Sequence, residues 1–386
     1  VRALTNLFTN SQPMLSSRLF LLESTARSAV SPYEHTMTTN AAIRDLTRRL
    51  RRTDLLLLRA VRRQRARPAV QAKGQFWGSV ITDDEVDDLL RAHGEIDYVI
   101  GVDGLDDALA ASTAYRDAPG GKFQTLRQAF HLDGSDIDLA LLALAPEVSA
   151  GYGKIFAYLN DNLNQAFLTV DLATRLLETN REARLHLQAR LLPGSPLIQN
   201  RLLLLNPGEG LDTHTSRRLH PAPRLLHWLF QGDVPPLELG ASTVDTSNSP
   251  FIPAVTAHRL DNLNASLLGP ITIAVIGGTN GSREGVAMAI ARRVSRPLVR
   301  VDVSKAKSYL DKPFELIRDL RLAGAIPLIE NIPAPDAEPA LRRKAASLGL
   351  ALATLPYPII ASGGDRRTLA ALLGPDRPNV TVPVGR

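Results

Sequence analysis

A glycine-rich stretch in the carboxy-terminal third of the 386-residue chain has residue types that suit the binding of phosphate groups. It reads GGTNGSRE over residues 277–284 and directly follows the continuous apolar run ITIAVI of residues 271–276. The run is typical of a buried strand, and the residues after the turn continue with helical periodicity. Glycines in such a turn allow backbone N–H groups to approach phosphates closely. The order of strand, turn and helix therefore predicts a nucleotide-binding loop.

Three of the four diagnostic positions of the phosphate-loop pattern GxxxxGK[ST] are changed in this stretch. Gly277 takes the first glycine, whereas Ser282 stands at the second glycine, Arg283 at the lysine and Glu284 at the magnesium-binding hydroxyl. An arginine can pair with phosphate, but its wide planar fork does not fit the space of a lysine ammonium. A carboxylate at position 284 repels polyphosphate unless a metal ion lies between them. We therefore expect ATP binding to be weak or lost.

The elements that must position this loop form a repeated strand and helix pattern up to residue 386. Further short apolar runs lie at residues 297–303, 325–330, 358–362 and 380–383, with helical segments between them. Five strands with crossover helices predict an α/β fold whose core, residues 269–386, is a five-stranded parallel P-loop-type sheet without a lid. Ser362, at the end of the fourth strand, suits either a γ-phosphate sensor or an ordinary capping residue.

The predicted site contains no residue to which we assign catalysis. Glu330 ends the third strand, where an acid holds magnesium through water, and Asn331 follows it in the place of a catalytic glutamate. ATP and Mg²⁺ are the cofactors that this pattern implies, with Glu330 as the metal ligand. The predicted nucleotide-binding residues are Gly277, Gly278, Thr279, Asn280, Gly281, Ser282, Arg283 and Glu284.

The first half of the chain is predicted to be chiefly α-helical. A long amphipathic helix runs from Thr39 to about Arg67, and the sequence TDDE at residues 82–85 caps a second helix. The pattern of helix, helix and short hairpin between residues 169 and 232 is compatible with a winged-helix arrangement. The predicted domains are residues 1–38, disordered or an upstream extension; 39–165, helical; 166–234, winged-helix-like; 235–268, a linker rich in Pro, Ser and Thr; and 269–386, the nucleotide-binding core.

Charge and composition limit the partners and the compartment. The net charge is +6, and arginines crowd residues 48–67, mostly opposite the apolar positions of the predicted helix. This pattern favours a solvated or protein-docking face over nucleic acid. The absence of cysteine excludes disulfides and thiolate zinc sites and fits the cytoplasm. No run approaches the roughly 18 apolar residues that span a bilayer, so membrane insertion is not expected.

Three segments resemble a known family. The block ALAPEVSAGYGKIFAYLNDN at residues 143–162, the run LTVDLATRLL at 168–177 and FWGSVITDDEV at 76–86 are similar to the amino-terminal region of AAA+ ATPases that occur with contractile injection systems. In that family a helical region precedes a winged helix and then AAA+ modules, the first of which is often degenerate. The resemblance implies an assembly or remodelling component that acts with a protein partner, as a homo-oligomer or with a second ATPase module.

A second hypothesis is a non-enzymatic DNA-binding adaptor that uses the winged helix and the arginine-rich helix. Phosphate contacts release counterions, so binding of this kind would weaken steeply with salt. The sequence favours protein docking because residues 169–232 show no basic recognition helix comparable with their apolar content.

Overall fold

The computed structural model describes residues 32–66, 81–93, 102–206, 213–232, 237–247, 252–262, 269–334, 336–370, 372–373 and 377–384. The predictions for residues 1–31 and for the family-like residues 76–80 lie outside this part of the chain. Residues 32–38, expected to belong to the disordered or upstream segment, are instead the start of a helix that begins at Pro32. Two hydrophobic cores organise the described residues, one within the helical half and one around the sheet of the carboxy-terminal part.

The helical half is built around α1, whose residues Leu55, Leu56, Leu57 and Leu58 are all buried. Such an all-round apolar turn is typical of a central helix that is covered on every side. The elements of this half are α1 (Pro32–Arg65), α2 (Asp83–His93), α3 (Val102–Ala111), α4 (Thr113–Arg116), α5 (Gly121–Phe130), α6 (Gly134–Val148), α7 (Ala150–Leu159), α8 (Val170–Leu177), α9 (Arg181–Ala189), α10 (Pro196–Gln199), β1 (Leu203–Asn206), β2 (Arg218–Pro221) and α11 (Pro223–Phe230).

The arginines of α1 differ from the expected solvated face. Arg49 is only 2% exposed and donates to the carbonyl groups of Ala118 (2.9 Å) and Gly120 (3.3 Å). Arg52 pairs with Asp138 at 3.0 Å, in α6. Because α1 is central, several side chains opposite its leucines meet other parts of the domain, while others on that side of the helix are exposed. Much of the basic stripe therefore binds within the domain.

The predicted order of helix, helix and hairpin is present between residues 169 and 232. Thr169 caps α8 by accepting from Leu172 N at 3.0 Å, and it forms an isolated antiparallel bridge with Arg218. Leu219 N donates to Leu168 O at 2.8 Å, which ties the start of α8 to the hairpin. Strands β1 and β2 pair antiparallel, with Leu203 opposite Pro221. A helix–turn–helix of α8 and α9 thus precedes a two-stranded wing.

The sheet of the carboxy-terminal part has six strands in the order β3-β5-β6-β7-β4-β8. Its elements are β3 (Ala241–Val244), α12 (Ala254–Asp261), β4 (Thr272–Gly277), α13 (Asn280–Arg293), β5 (Leu298–Asp302), α14 (Lys307–Asp311), α15 (Pro313–Ala323), β6 (Ile326–Glu330), α16 (Pro339–Ala353), β7 (Ile359–Gly363) and β8 (Asn379–Val384). The five predicted strands correspond to β4 to β8 and pair in parallel.

The prediction of a purely parallel five-stranded sheet is wrong at one edge. Strand β3 pairs antiparallel with β5, with Ala241 opposite Val301, so the sheet is mixed. Residues 235–268, expected to be a linker, contribute this strand and α12, whose Leu260 is fully buried in the second core. The strand was hidden in the sequence because an edge strand needs little apolar content, and ASTV carries Ser and Thr.

Helix α15 joins the two cores. Its Leu316, Ile317 and Leu320 pack in the core of the sheet, whereas Leu322 packs in the core of the helical half. The helical half and the α/β core are therefore in direct contact. Among the described residues, no single helix is long and apolar enough to cross a membrane; α6 and α7 meet these criteria only as a pair, bent by 118°.

Candidate functional site

A crevice of about 200 Å³ lies at the carboxyl edge of the sheet, where β4, β6 and β7 end. This edge is where open α/β sheets place their ligands. Arg283 and Asn280 contribute from α13, and Glu330 and Asn331 from the end of β6. Ser362 contributes from β7. The structure thus brings together the loop, the third-strand acid and the fourth-strand serine that the sequence singled out.

The turn between β4 and α13 is short. Only Gly278 and Thr279 separate strand from helix, so residues 280–284 form the first helical turns and not an open loop. Thr279 and Ser282 form two reciprocal hydrogen bonds. Ser282 N donates to Thr279 Oγ1 (3.2 Å), and Thr279 N donates to Ser282 Oγ (2.9 Å). This reciprocal capping box occupies groups that could otherwise face a ligand.

Gly277 has a structural reason for being glycine. Its φ is +82°, and a Cβ there would lie 2.8 Å from Val384 O in the neighbouring strand β8. Residues with a side chain rarely adopt this φ. Gly277 is therefore required by the turn and by the close approach of β8, irrespective of any phosphate.

Arg283 points across the crevice and bonds to the protein itself. Its Nε donates to Ser362 Oγ at 2.9 Å, and its Nη1 donates to the carbonyl oxygens of Gly277 (2.8 Å) and Gly278 (3.1 Å). Its Nη2 donates to Asn280 Oδ1. A guanidinium has five N–H donors, and most of those of Arg283 are used in these contacts. The side chain at the lysine position is thus held by the loop that would bind phosphate.

Glu284 and Glu330 share one cation. Arg300, on β5, pairs with Glu284 and lies 3.5 Å from Glu330 Oε2. Burial raises the pKa of Glu330, while Arg300 lowers it and Glu284 raises it. Magnesium needs carboxylate oxygens at about 2.0–2.1 Å, and both carboxylates are turned to a guanidinium instead. The arrangement does not fit a Mg²⁺ ion, and the described residues hold no group of three or more His, Asp or Glu placed for a metal.

The sequence interpretation missed Arg300. A signal was present in the sequence, since an arginine stands in the middle of the mostly apolar run PLVRVDV. Within a sheet that buries both faces, a charged residue in mid-strand needs a partner at the site it faces. Here the partners are the two carboxylates, and the strand order that brings β5 beside β6 could not be derived from the run alone.

The family described as winged helix domain, variant, matches residues 22–240, more than half of the chain. The chain belongs to this family. No curated protein matches the sequence. The match covers the helical half, the helix–turn–helix of α8 and α9 and the hairpin of β1 and β2.

In this winged helix domain, α9 has the place of the recognition helix. Its Arg184 donates through Nε to Glu178 O at 2.8 Å, and Arg190 pairs with Asp133 (2.5 Å) and Asp136 (3.3 Å). Leu185 is 57% exposed. Helices that read DNA direct polar side chains to base edges, whereas these arginines bind within the domain. The exposed surface of α9 is thus partly apolar.

Proposed function

We propose that the chain is a pseudo-ATPase scaffold of AAA+ type, in which the winged helix region docks a protein partner and the α/β core serves assembly without hydrolysing ATP. The observation that supports this most strongly is the position of Arg283. Its contacts with Gly277 O, Gly278 O and Ser362 Oγ fill the mouth of the crevice with the protein's own groups. A nucleotide would have to break these bonds before its phosphates reached the turn.

The charges at the crevice support the same proposal. Arg300 supplies a permanent cation between Glu284 and Glu330, so these carboxylates need no metal for neutralisation. The turn of Gly278 and Thr279 has too few backbone N–H groups to surround a polyphosphate, which the longer Gly-rich loop of active enzymes does. Both features favour a core that keeps its shape without ATP and Mg²⁺.

The partner class follows from the resemblance of residues 143–162, 168–177 and 76–86 to ATPases that occur with contractile injection systems. On this basis the scaffold would assemble or remodel a particle of that kind, as a homo-oligomer or with a second ATPase module. The direct contact between the helical half and the α/β core through α15 favours a scaffold over a motor, because moving modules need a separable interface.

The winged helix fold also favours a second candidate, DNA binding, since this fold often places a helix in the major groove. The contacts of the arginines within the domain argue against DNA binding. Arg49 and Arg52 of α1 bind within the domain, as do Arg184 and Arg190 around α9. We therefore rank protein docking first. Duplex DNA binding that falls steeply with salt would reverse this order.

The experiment that tests the proposal is calorimetric titration of ATP, with and without Mg²⁺, into the purified chain. We expect no heat of binding at millimolar ATP. The Arg283→Ala variant tests whether the contacts of Arg283 at the crevice mouth are what prevents ATP binding. The matched control is Arg293→Ala, because Arg293 lies at the far end of α13 and pairs with Asp261. Micromolar, magnesium-enhanced binding that is lost in Arg283→Ala alone would show a working phosphate loop and overturn the pseudo-ATPase.

A further inference from the structure

A second, smaller cleft lies between α1 and the helix–turn–helix. Its volume is about 60 Å³, and apolar side chains of α1, α7 and α8 form its walls, among them Ala60, Leu159 and Leu172. Three arginines line it as well: Arg63 from α1, Arg175 from α8 and Arg184 from α9. Basic groups on low-dielectric walls form a strong site for an anion.

Two of the lining arginines and their neighbour Arg59 already bond to the ends of helices. Arg59 donates to Leu176 O at 2.7 Å, Arg184 donates to Glu178 O at 2.8 Å, and Arg175 donates to Leu159 O at 3.4 Å. These contacts satisfy carbonyl groups that a helix leaves free at its carboxyl end. They fix the guanidinium groups in place and leave further N–H donors on each, since a guanidinium carries five.

Arg63 differs from the others. It is exposed, and the described part of the chain offers it no hydrogen bond, ion pair or ring contact. Burial lowers the pKa of Arg59, and Arg63 lowers it further, although Asp106 and Glu178 oppose the effect. Arg59 and Arg63 therefore repel each other at the edge of this cleft. An anion between them would relieve that repulsion.

A larger hollow of about 200 Å³ adjoins the cleft. Gln64 lines both cavities and donates to Tyr158 O at 2.9 Å, which places it at their common wall. Ile81, Ala157 and the 42%-exposed Leu163 give the hollow an apolar surface. An apolar hollow beside an arginine cleft suits a ligand that has an acidic and an apolar side chain close together.

We propose that this composite surface binds an acidic, partly apolar peptide segment of a protein partner, with a carboxylate in the arginine cleft and a neighbouring apolar side chain in the hollow. The proposal rests on the protein-docking part of the proposed function. It names the partner's chemistry: a carboxylate that accepts from Arg63 and its neighbours in the fork geometry that guanidinium groups favour.

A peptide suits the surface better than a nucleic acid. Asp161 lines the hollow, and the half-exposed Asp171 pairs with Arg175 at 2.7 Å, so the basic cleft has two acidic neighbours. A duplex carries one phosphate per about 3.4 Å of helix axis on each strand, so it needs a continuous basic surface. A cleft of about 60 Å³ admits a single carboxylate while the acids beside it repel a polyanion.

The test uses the full chain and a fluorescein-labelled peptide with a single glutamate between leucines in an otherwise uncharged sequence, and it measures binding by fluorescence anisotropy. We expect saturable binding that Arg63→Glu weakens about tenfold or more, because reversing a charge removes one charge-assisted bond and adds repulsion. Arg48→Glu is the matched control, since Arg48 is an exposed arginine on the same helix away from the cleft. It should leave the affinity unchanged. A peptide with glutamine in place of glutamate should bind far more weakly.

Each other outcome contradicts the proposal. Equal losses in Arg63→Glu and Arg48→Glu, or equal binding of the glutamine peptide, would show general charge attraction or apolar adsorption. Binding of duplex DNA that depends on Arg63, without binding of the peptide, would assign the cleft to nucleic acid. Absence of binding at millimolar peptide would show that the cleft does not bind an acidic, partly apolar peptide. ATP titration is a separate measurement, so these failures leave the pseudo-ATPase core untouched.

Discussion

Arg224 Nη1, on α11 of the winged helix domain, lies 3.2 Å from Asp319 Oδ2, on α15 of the α/β core. Asp319 is fully buried, and it also accepts from Arg318 Nε (2.8 Å) and Tyr309 OH (2.9 Å). A buried carboxylate is tolerated only with such partners. One of these partners comes from the other half of the molecule, so the network joins the two cores.

The Asp319→Asn variant should destabilise the protein by about 3–5 kcal/mol, because it leaves the buried Arg318 without a counter-charge and removes one of the two carboxylate partners of Arg224. We further expect one calorimetric unfolding transition for the native chain and two for the variant, because its two cores would unfold separately. The matched control is Asp311→Asn, which removes the half-exposed pair of Asp311 with Lys344 and should cost at most about 1 kcal/mol. Equal effects of the two variants would contradict a joining role for Asp319.

A second prediction concerns Asp54, a buried carboxyl in α1 that Tyr152 OH contacts at 2.7 Å. Burial raises the pKa of Asp54 to about 7. The folded state therefore binds this proton more tightly than the unfolded state does. The stabilisation is complete below the unfolded pKa near 3.8 and is lost as pH rises through about 7. The shift corresponds to roughly 4 kcal/mol as an upper bound.

Urea unfolding between pH 4 and 8 measures this dependence. The native protein should lose stability across that range, and Asp54→Asn, which cannot ionise, should show a clearly flatter profile. Tyr152→Phe removes the hydrogen bond that lowers the pKa of Asp54, so it should keep the dependence and move it to higher pH. An Asp54→Asn profile as steep as that of the native chain would assign the dependence to other groups.

The sequence was sufficient for the elements whose signal is local. Five buried strands were predicted because runs such as ITIAVI are continuous and apolar, and the cap at Thr82 was visible in TDDE; its Oγ1 accepts from Glu85 N at 3.2 Å. Strand β3 was missed because its stability comes from pairing with β5 and not from its own four residues. Local patterns do not show which distant strand completes an edge.

The sequence predicted which residues line the site but not which hydrogen bonds they form. The spacing of the phosphate-loop pattern and of the strand ends singled out Arg283, Glu330 and Ser362, and these three residues line one crevice. Spacing did not show that Arg283 donates to Ser362 and the turn, because that depends on how β4 and β7 pair. The arginines of α1 are a parallel case: periodicity placed them opposite the leucines, but only the packed neighbours show which ones are solvated.

A third prediction concerns Gly277. Alanine there meets Val384 O at 2.8 Å and must adopt a φ of +82°, so Gly277→Ala should destabilise the protein by about 1–3 kcal/mol. Gly364, also at the crevice, has no atom within 4 Å of an added Cβ, and Gly364→Ala should change the free energy of unfolding by less than about 0.5 kcal/mol. Urea unfolding compares them. Equal stability of both variants would show that β4 and β8 are not in this close contact.

The last prediction tests whether the residue types of the phosphate loop or its short length prevents ATP binding. The double variant Arg283→Lys, Glu284→Thr restores the lysine and the hydroxyl of the pattern GxxxxGK[ST], yet the turn still consists of Gly278 and Thr279 alone. Because residues 280–284 lie in α13, the backbone cannot enclose a polyphosphate whatever side chains they carry. Calorimetric titration should therefore show no magnesium-dependent ATP binding in this variant. Micromolar binding would mean that Arg283 and Glu284 alone had closed the site, and that the short turn can open when nucleotide arrives.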